Sequence, residues 1–290
     1  MALNCALTNP INERHCMTND ISTKFHSHNR FIQKLEAGGT PLGMFIFSPD
    51  AGHTEALGLS GFDLAVVDME HAPLGIGDVV NHVRAAEAVG VSCWVRVGHA
   101  LPHEIGRILD CGVQGIILPH FGLDRAATNA AIDAFRYAPE GSRGTCTAVR
   151  GVGHGLLDFA GYAQTSNREA MAIGLIEDAS VVDDIEAVLD GCRLDAIVPG
   201  GLGDLATSLG LHGQGNHPKV QEAALRVIKA AKAVPGLKVG VYVTDPAAAS
   251  KWTDLGVDFF LYSIDYRIMS WAFREQHTAL RKAVSRSGTA

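Results

Sequence analysis

From Asn29 onward one phrase recurs along the chain: an amphipathic stretch, then a glycine, then a short apolar run. Four copies are plain: Leu59-Ser60-Gly61 before 63–68, Leu109-Asp110-Cys111-Gly112 before 115–119, Leu189-Asp190-Gly191 before 195–199, and Leu255-Gly256 before 258–263. Glycine closes helices because, without a Cβ, it accepts the left-handed backbone. A run of Val, Ile and Leu that follows it reads as a parallel strand buried on both faces. Runs at 42–47, 92–97, 172–177 and 238–243 bring the candidate strands to eight, each followed by helical periodicity. Helices are expected over 77–89, 124–137, 180–189 and 217–234, with Asp124 and Ser180 as N-caps. Eight alternating units predict an α/β fold of the (β/α)8 TIM-barrel type, with a doubly wound open sheet as the competitor.

No linker interrupts the pattern, so residues 29–290 are expected to form one barrel domain. Residues 1–28 carry His15, His26 and His28 but no apolar core of a signal peptide, and read as a polar, disordered extension. The connections 138–168 and 200–216 exceed what a helix needs, and such loops often carry function. The run Gly151-Val152-Gly153-His154-Gly155 reads as a flexible loop.

Charge and composition then remove several classes. Lysine and arginine total 24 against 31 acids, a formal charge of −7, so a basic nucleic-acid-binding surface is not expected. No apolar run approaches the roughly 18 residues of a membrane span, which predicts a soluble protein. The six cysteines, Cys5, Cys16, Cys93, Cys111, Cys146 and Cys192, contain no C-x-x-C pair; they read as reduced thiols of a cytoplasmic protein.

In a barrel of this kind chemistry gathers at the C-terminal ends of the strands. Those ends carry Asp68-Met69-Glu70-His71, Arg96, Pro119-His120, Glu177 and Gly200-Gly201-Leu202-Gly203-Asp204. Glu177 and Asp204 follow adjacent strands and offer hard oxygen ligands suited to Mg²⁺ or Mn²⁺. Taken alone, Asp204 reads as the N-cap of a helix beginning at Leu205; taken as a pair, the two acids read as metal ligands. Arg96 at a buried strand end calls for an anion, either an enolate or carboxylate of a substrate or the side chain of Asp68 or Glu70. His71 is a candidate base, with Asp68 or Glu70 available to orient its ring. Backbone N–H groups of Gly203 and Asp204 at a helix start could hold a substrate carboxylate. All eight lysines fall in the N-terminal segment, on predicted helices, or at the wrong end of a strand in the case of Lys238. A Schiff-base lysine in the pocket is therefore not expected.

Several blocks in order resemble the HpcH/HpaI aldolase family over roughly residues 29–285. They are Gly61-Phe62-Asp63 through Asp68-Met69-Glu70-His71-Ala72-Pro73, Val95-Arg96-Val97, Leu109-Asp110-Cys111-Gly112 through Leu118-Pro119-His120, Arg136-Tyr137-Ala138-Pro139-Glu140-Gly141-Ser142-Arg143-Gly144, Leu175-Ile176-Glu177, and Gly203-Asp204-Leu205 with Ser208-Leu209-Gly210. The resemblance implies a class II pyruvate aldolase in which Glu177 and Asp204 bind a divalent cation, Mg²⁺ or Mn²⁺ with Co²⁺ or Zn²⁺ also accommodated. It further implies that Arg96 stabilises an enolate oxygen, that His71 is the base, acting through a water on the cation, and that Asp68 and Glu70 support it. A homo-oligomer, in the family commonly a hexamer, is implied too. Two positions depart from the family pattern: Leu175 stands where Gln is common, and Phe45 where Trp is frequent, which bears on acceptor choice.

The expected activity is reversible retro-aldol cleavage of a 4-hydroxy-2-oxo acid to pyruvate, or a similar 2-oxo acid, and an aldehyde. The alternatives are oxaloacetate decarboxylation or a citrate-forming condensation through the same enolate, and a non-catalytic barrel that binds an oxo acid. A degenerate binder would be expected to have lost one of His71, Arg96, Glu177 and Asp204; all four are present.

Overall fold

The computed structural model describes residues 29–285. The expectations for the extension 1–28, including Cys5, Cys16 and its histidines, lie outside the described residues. Eight parallel strands close in sequence order into one barrel: β1 (Leu42–Ile46), β2 (Leu64–Asp68), β3 (Ser92–Arg96), β4 (Gly115–Leu118), β5 (Met171–Ile176), β6 (Ala196–Pro199), β7 (Lys238–Val243) and β8 (Phe259–Ile264). The doubly wound alternative is thereby excluded. The four glycines that introduced the apolar runs, Gly61, Gly112, Gly191 and Gly256, all have positive φ, between 64° and 95°.

The helices are α1 (Arg30–Glu36), α2 (Gly52–Leu59), α3 (Ile76–Val89), α4 (Pro102–Asp110), α5 (Arg125–Asp133), α6 (Phe159–Glu169), α7 (Ala179–Asp183), α8 (Ile185–Leu189), α9 (Leu202–Ser208), α10 (Pro218–Lys232), α11 (Ala247–Thr253) and α12 (Asp265–Ser285). Asp124 caps α5 as expected, its Oδ1 accepting from the Ala127 amide at 3.0 Å. Three details of the helix reading are corrected. The segment 180–189 is two short helices broken at Asp184, and Asp178, not Ser180, occupies the cap position. The helix after β4 ends at Asp133 rather than 137. The stretch 150–155 is a 3₁₀ turn with Val152 fully buried, so it is a packed element and not a loose loop.

Alternation along the strands sorts the core into two shells. Inward residues Phe45, Leu64, Val66, Trp94, Ile117, Ile173, Leu175, Ala196, Val198, Phe259 and Leu261 fill the barrel. Outward residues such as Val67, Val95, Ile116, Ala172, Ile197 and Val241 pack beneath the helices. Phe31 of α1 plugs the barrel floor, with its ring centroid 4.4 Å from Trp94 and 5.0 Å from Phe259. Gly240 is required by that packing, since a Cβ there would meet the Phe259 ring at 2.2 Å.

α12 departs from the ring of packed helices. Among its described residues only Asp265 is buried, while Trp271, Phe273, Leu280 and Val284 are exposed. No helix among the described residues is long and apolar enough to cross a membrane.

Candidate active site

Because inward positions recur every second residue, Asp68 follows Val66 and Arg96 follows Trp94 on the inner face, and the two are register partners across β2 and β3. Asp68 is fully buried and its Oδ2 accepts from Arg96 Nε at 2.9 Å and from Arg96 Nη2. Its other oxygen accepts the backbone N–H groups of Glu70 and His71, each at 2.9 Å. Asp68 therefore holds Arg96 and the turn that carries His71, and does not touch the imidazole, contrary to the expectation that it could orient that ring.

Of the two readings of Arg96, the ion pair is present, and the guanidinium also faces the cavity. It is 8% exposed, lies 4.8 Å above the Phe45 ring centroid, and has Nη1 3.2 Å from Glu70 Oε2. That last contact lacks hydrogen-bond geometry and leaves Glu70 Oε2 buried without a hydrogen bond. Burial raises the Glu70 pKa above the usual carboxylate value, and Arg96 opposes the rise. Glu70 Oε2 is also 3.7 Å from His71 Nε2, and the His71 side chain is 56% exposed at the barrel mouth.

Glu177 directly follows β5, is 4% exposed, and accepts the His120 backbone N–H at 3.1 Å. Burial, together with the charges of Glu70 and Asp204, raises its pKa to about 7, against the lowering effect of the His120 hydrogen bond. Gly200 sits against it: a Cβ at Gly200 would meet Glu177 Cγ at 2.9 Å and the Ile176 carbonyl at 2.6 Å. Asp204 is not the N-cap of a helix starting at Leu205. α9 starts at Leu202, and Asp204 lies in its first turn with its N–H donating to the Gly201 carbonyl at 2.8 Å. That N–H is thus engaged within the chain, which removes it from the proposed carboxylate cradle and leaves Gly203 alone there.

The negative charges of Glu70 and Asp204 both work against ionisation of Glu177, a condition a bound cation relieves. Among the described residues no three His, Cys, Asp or Glu side chains are grouped to hold a metal ion. Mg²⁺ needs only one or two carboxylates when water and substrate oxygens complete its shell, so the hard-oxygen pair Glu177 and Asp204 fits such an ion.

The barrel mouth opens into a cavity of about 990 Å³, whose walls include Phe45, His71, Arg96, Leu175, Gly203 and Asp204. The sequence places His120 at a strand end without assigning it a role, and Tyr242 and Lys251 escape the site reading. His120 has φ +48° and pairs through Nδ1 with Asp178 Oδ2 at 3.0 Å. Burial works against its protonation, but the Asp178 bond and the Glu177 charge prevail and raise its pKa. Tyr242 is inward-facing on β7 two residues after Gly240, a position that strand alternation alone could have flagged. Lys251 lies on the cavity wall, which corrects the expectation that no lysine reaches the pocket. It belongs to α11 rather than to a strand end, and its ammonium donates to Gln221.

Comparisons with known proteins agree with this fold. Residues 42–269 match the model of the HpcH/HpaI aldolase/citrate lyase family. The hydroxypyruvate/pyruvate aldolase of Paraburkholderia phytofirmans is 31% identical over 262 residues, covering 89% of this chain and 98% of that protein. The HpcH/HpaI aldolase structure from Desulfitobacterium hafniense superposes with a TM-score of 0.79 at 26% identity, over 86% of this chain and 96% of that one. The solved citrate synthase SbnG gives 0.76 at 26% identity, over 88% and 97%. The chain belongs to the HpcH/HpaI aldolase/citrate lyase family and is a carbon–carbon lyase of the aldolase type.

Proposed function

We propose that the protein catalyses reversible, divalent-cation-dependent retro-aldol cleavage of a 4-hydroxy-2-oxo acid to pyruvate, or a similar 2-oxo acid, and an aldehyde. The observation that carries this reading is the placing, at the C-terminal ends of the strands, of an Arg96 clamped by Asp68 together with Glu177 directly after β5 and Asp204 in the first turn after β6. Glu177 and Asp204 would hold the cation, Mg²⁺ or Mn²⁺, which when bound supplies Lewis-acid polarisation of the oxo-acid oxygens.

The protein's own residues do the rest. Arg96 spends its Nε and one Nη2 hydrogen on Asp68 and keeps further N–H donors for the oxygen on which negative charge develops. Clamping matters because a donor already in place need not reorganise as the bond breaks. His71 takes the proton of the C4 hydroxyl at the open mouth and returns one to the three-carbon product, with Glu70 Oε2 3.7 Å from its Nε2. Phe45 and Leu175 wall the cavity with apolar surface, which strengthens these electrostatic interactions.

Cleavage of 4-hydroxy-2-oxo acids should release pyruvate in the presence of Mg²⁺ or Mn²⁺ and stop with EDTA. Glu177→Gln should lower turnover by about 10² or more. Turnover indifferent to EDTA and to that substitution would refute the reading.

A second reading is oxaloacetate decarboxylation or a citrate-forming condensation. It is supported by the likeness to the citrate synthase structure and by Leu175, which offers no hydrogen bond to an aldehyde. A higher kcat/KM for oxaloacetate than for any hydroxy-oxo acid would favour it.

Association into a homo-oligomer belongs to the proposal, supported by the exposed apolar residues of α12. A cytoplasmic setting is supported by the free thiols of Cys93, Cys111, Cys146 and Cys192.

A further inference from the structure

Two residues at the barrel mouth break the local preferences of their positions, and they do so against each other. His120 follows β4 in the left-handed backbone region, at φ +48°, which a residue with a Cβ rarely takes. Asp178 holds the cap position before α7, where an aspartate ordinarily accepts an amide of the helix's first turn, yet its side chain makes no such bond. Its Oδ2 instead meets His120 Nδ1 at 3.0 Å. Departures of this kind gather where function holds them in place.

Both departures bear on Glu177. The turn at His120 directs its backbone N–H to Glu177 Oε2 at 3.1 Å, and the following amide, that of Phe121, donates to the Leu175 carbonyl at 3.0 Å. His120 thus grips two consecutive carboxylates after β5, Glu177 with its amide and Asp178 with its ring. That amide supplies the only hydrogen bond Glu177 accepts among the described residues, and it engages one oxygen of the two. Neither gripping side chain fills core space, for the His120 ring is 57% exposed and Asp178 20%.

We propose that His120 and Asp178 are positioning residues for the divalent cation. Their mutual bond fixes the left-handed turn, the turn aims the His120 amide at Glu177, and the amide orients the carboxylate that holds the ion. A partner one step removed from a metal commonly changes affinity by about ten- to a hundredfold, because it sets the ligand's direction before the ion arrives. The assignment rests on the cation reading of the preceding subsection.

Binding of Mn²⁺ to the full chain, followed by the EPR signal of the free ion, tests this without turnover. Wild type should bind, and Glu177→Gln should bind at least about tenfold more weakly. His120→Ala removes the ring and keeps a Cβ in the turn, and should weaken Mn²⁺ by about tenfold; His120→Gly, free to adopt φ +48°, should stay within about threefold of wild type. Asp178→Ala should also weaken it by about tenfold, whereas Asp178→Asn, which keeps an acceptor for Nδ1–H without the charge, should not. In the His120→Gly background Asp178→Ala should add nothing. Circular dichroism reports whether each variant is folded, and the two Asp178 variants decide the matter should His120→Ala fail to fold.

Wild-type affinity in both alanine variants overturns the assignment. So does equal weakening in His120→Gly and His120→Ala. Equal weakening in Asp178→Asn and Asp178→Ala also overturns it, because the charge of Asp178 would then be the cause. In all three cases the cation reading stands. A wild type that does not bind Mn²⁺, or binding that Glu177→Gln leaves unchanged, overturns both.

Discussion

Arg96 and Asp68 face one another across β2 and β3 as register partners, and a single carboxylate oxygen of Asp68 accepts from both Nε and Nη2 of Arg96. The other oxygen is spent on the backbone of Glu70 and His71. One buried acid thus holds both Arg96 and the turn that bears His71.

Removing that acid should therefore cost stability and activity together. Asp68→Ala leaves Arg96 buried without its partner, and the expected loss is about 3 kcal/mol of unfolding free energy, read by chemical denaturation. Arg96→Lys keeps the charge but loses the fork, and kcat for cleavage should fall by about 10² while the melting temperature changes less than in Asp68→Ala. Wild-type turnover in Arg96→Lys would remove the residue from the chemistry.

His71 is exposed, and among the described residues Glu70 is the only ion-pairing group it meets. His71→Ala should accordingly leave the fold intact and slow proton transfer by about 10². The acid limb of the pH–kcat/KM profile that reports the imidazole should vanish with it, and an unchanged profile would assign the proton to another group.

His82 sits fully buried between Thr54 Oγ1 at 2.8 Å and the Ser48 carbonyl at 3.0 Å. Burial lowers its pKa below the ordinary 6.5, although Asp78 and Asp265 pull it upward. The unfolded chain then binds more protons than the folded one as pH drops under 6.5. Its contribution is present above that value and is lost on acidification. Glu177 acts with opposite sign: its pKa near 7 in the fold means that its contribution falls as pH rises from 4.5 towards 7. The difference in unfolding free energy between wild type and His82→Leu isolates the histidine. The variant should lose about 1–3 kcal/mol at neutral pH through the unmade bonds, and the gap should narrow toward pH 5. A gap independent of pH would contradict the assignment.

Trp271, Phe273, Leu280 and Val284 leave α12 with apolar side chains in contact with water. If α12 lies in a subunit contact, Phe273→Glu lowers the mass measured by sedimentation equilibrium by at least half. A wild type that sediments as a monomer would contradict the oligomer reading.

The chain's own pattern determined the barrel, because strand alternation and helix-closing glycines are local properties. The same two-residue period already put Asp68, Arg96, Leu175 and Glu177 at the inner, C-terminal rim. It overlooked α6, whose sequence of small and polar residues buries only Tyr162 and Asn167, too thin a stripe to announce a helix. Partners were beyond its reach. Whether Asp68 would serve His71 or Arg96, whether Asp204 would cap a helix, and whether Lys251 would enter the cavity from α11 were decided only by tertiary structure. The reason is physical: backbone periodicity fixes which face a residue occupies, but the pairing of long or charged side chains depends on distances between segments that the sequence brings together only by folding.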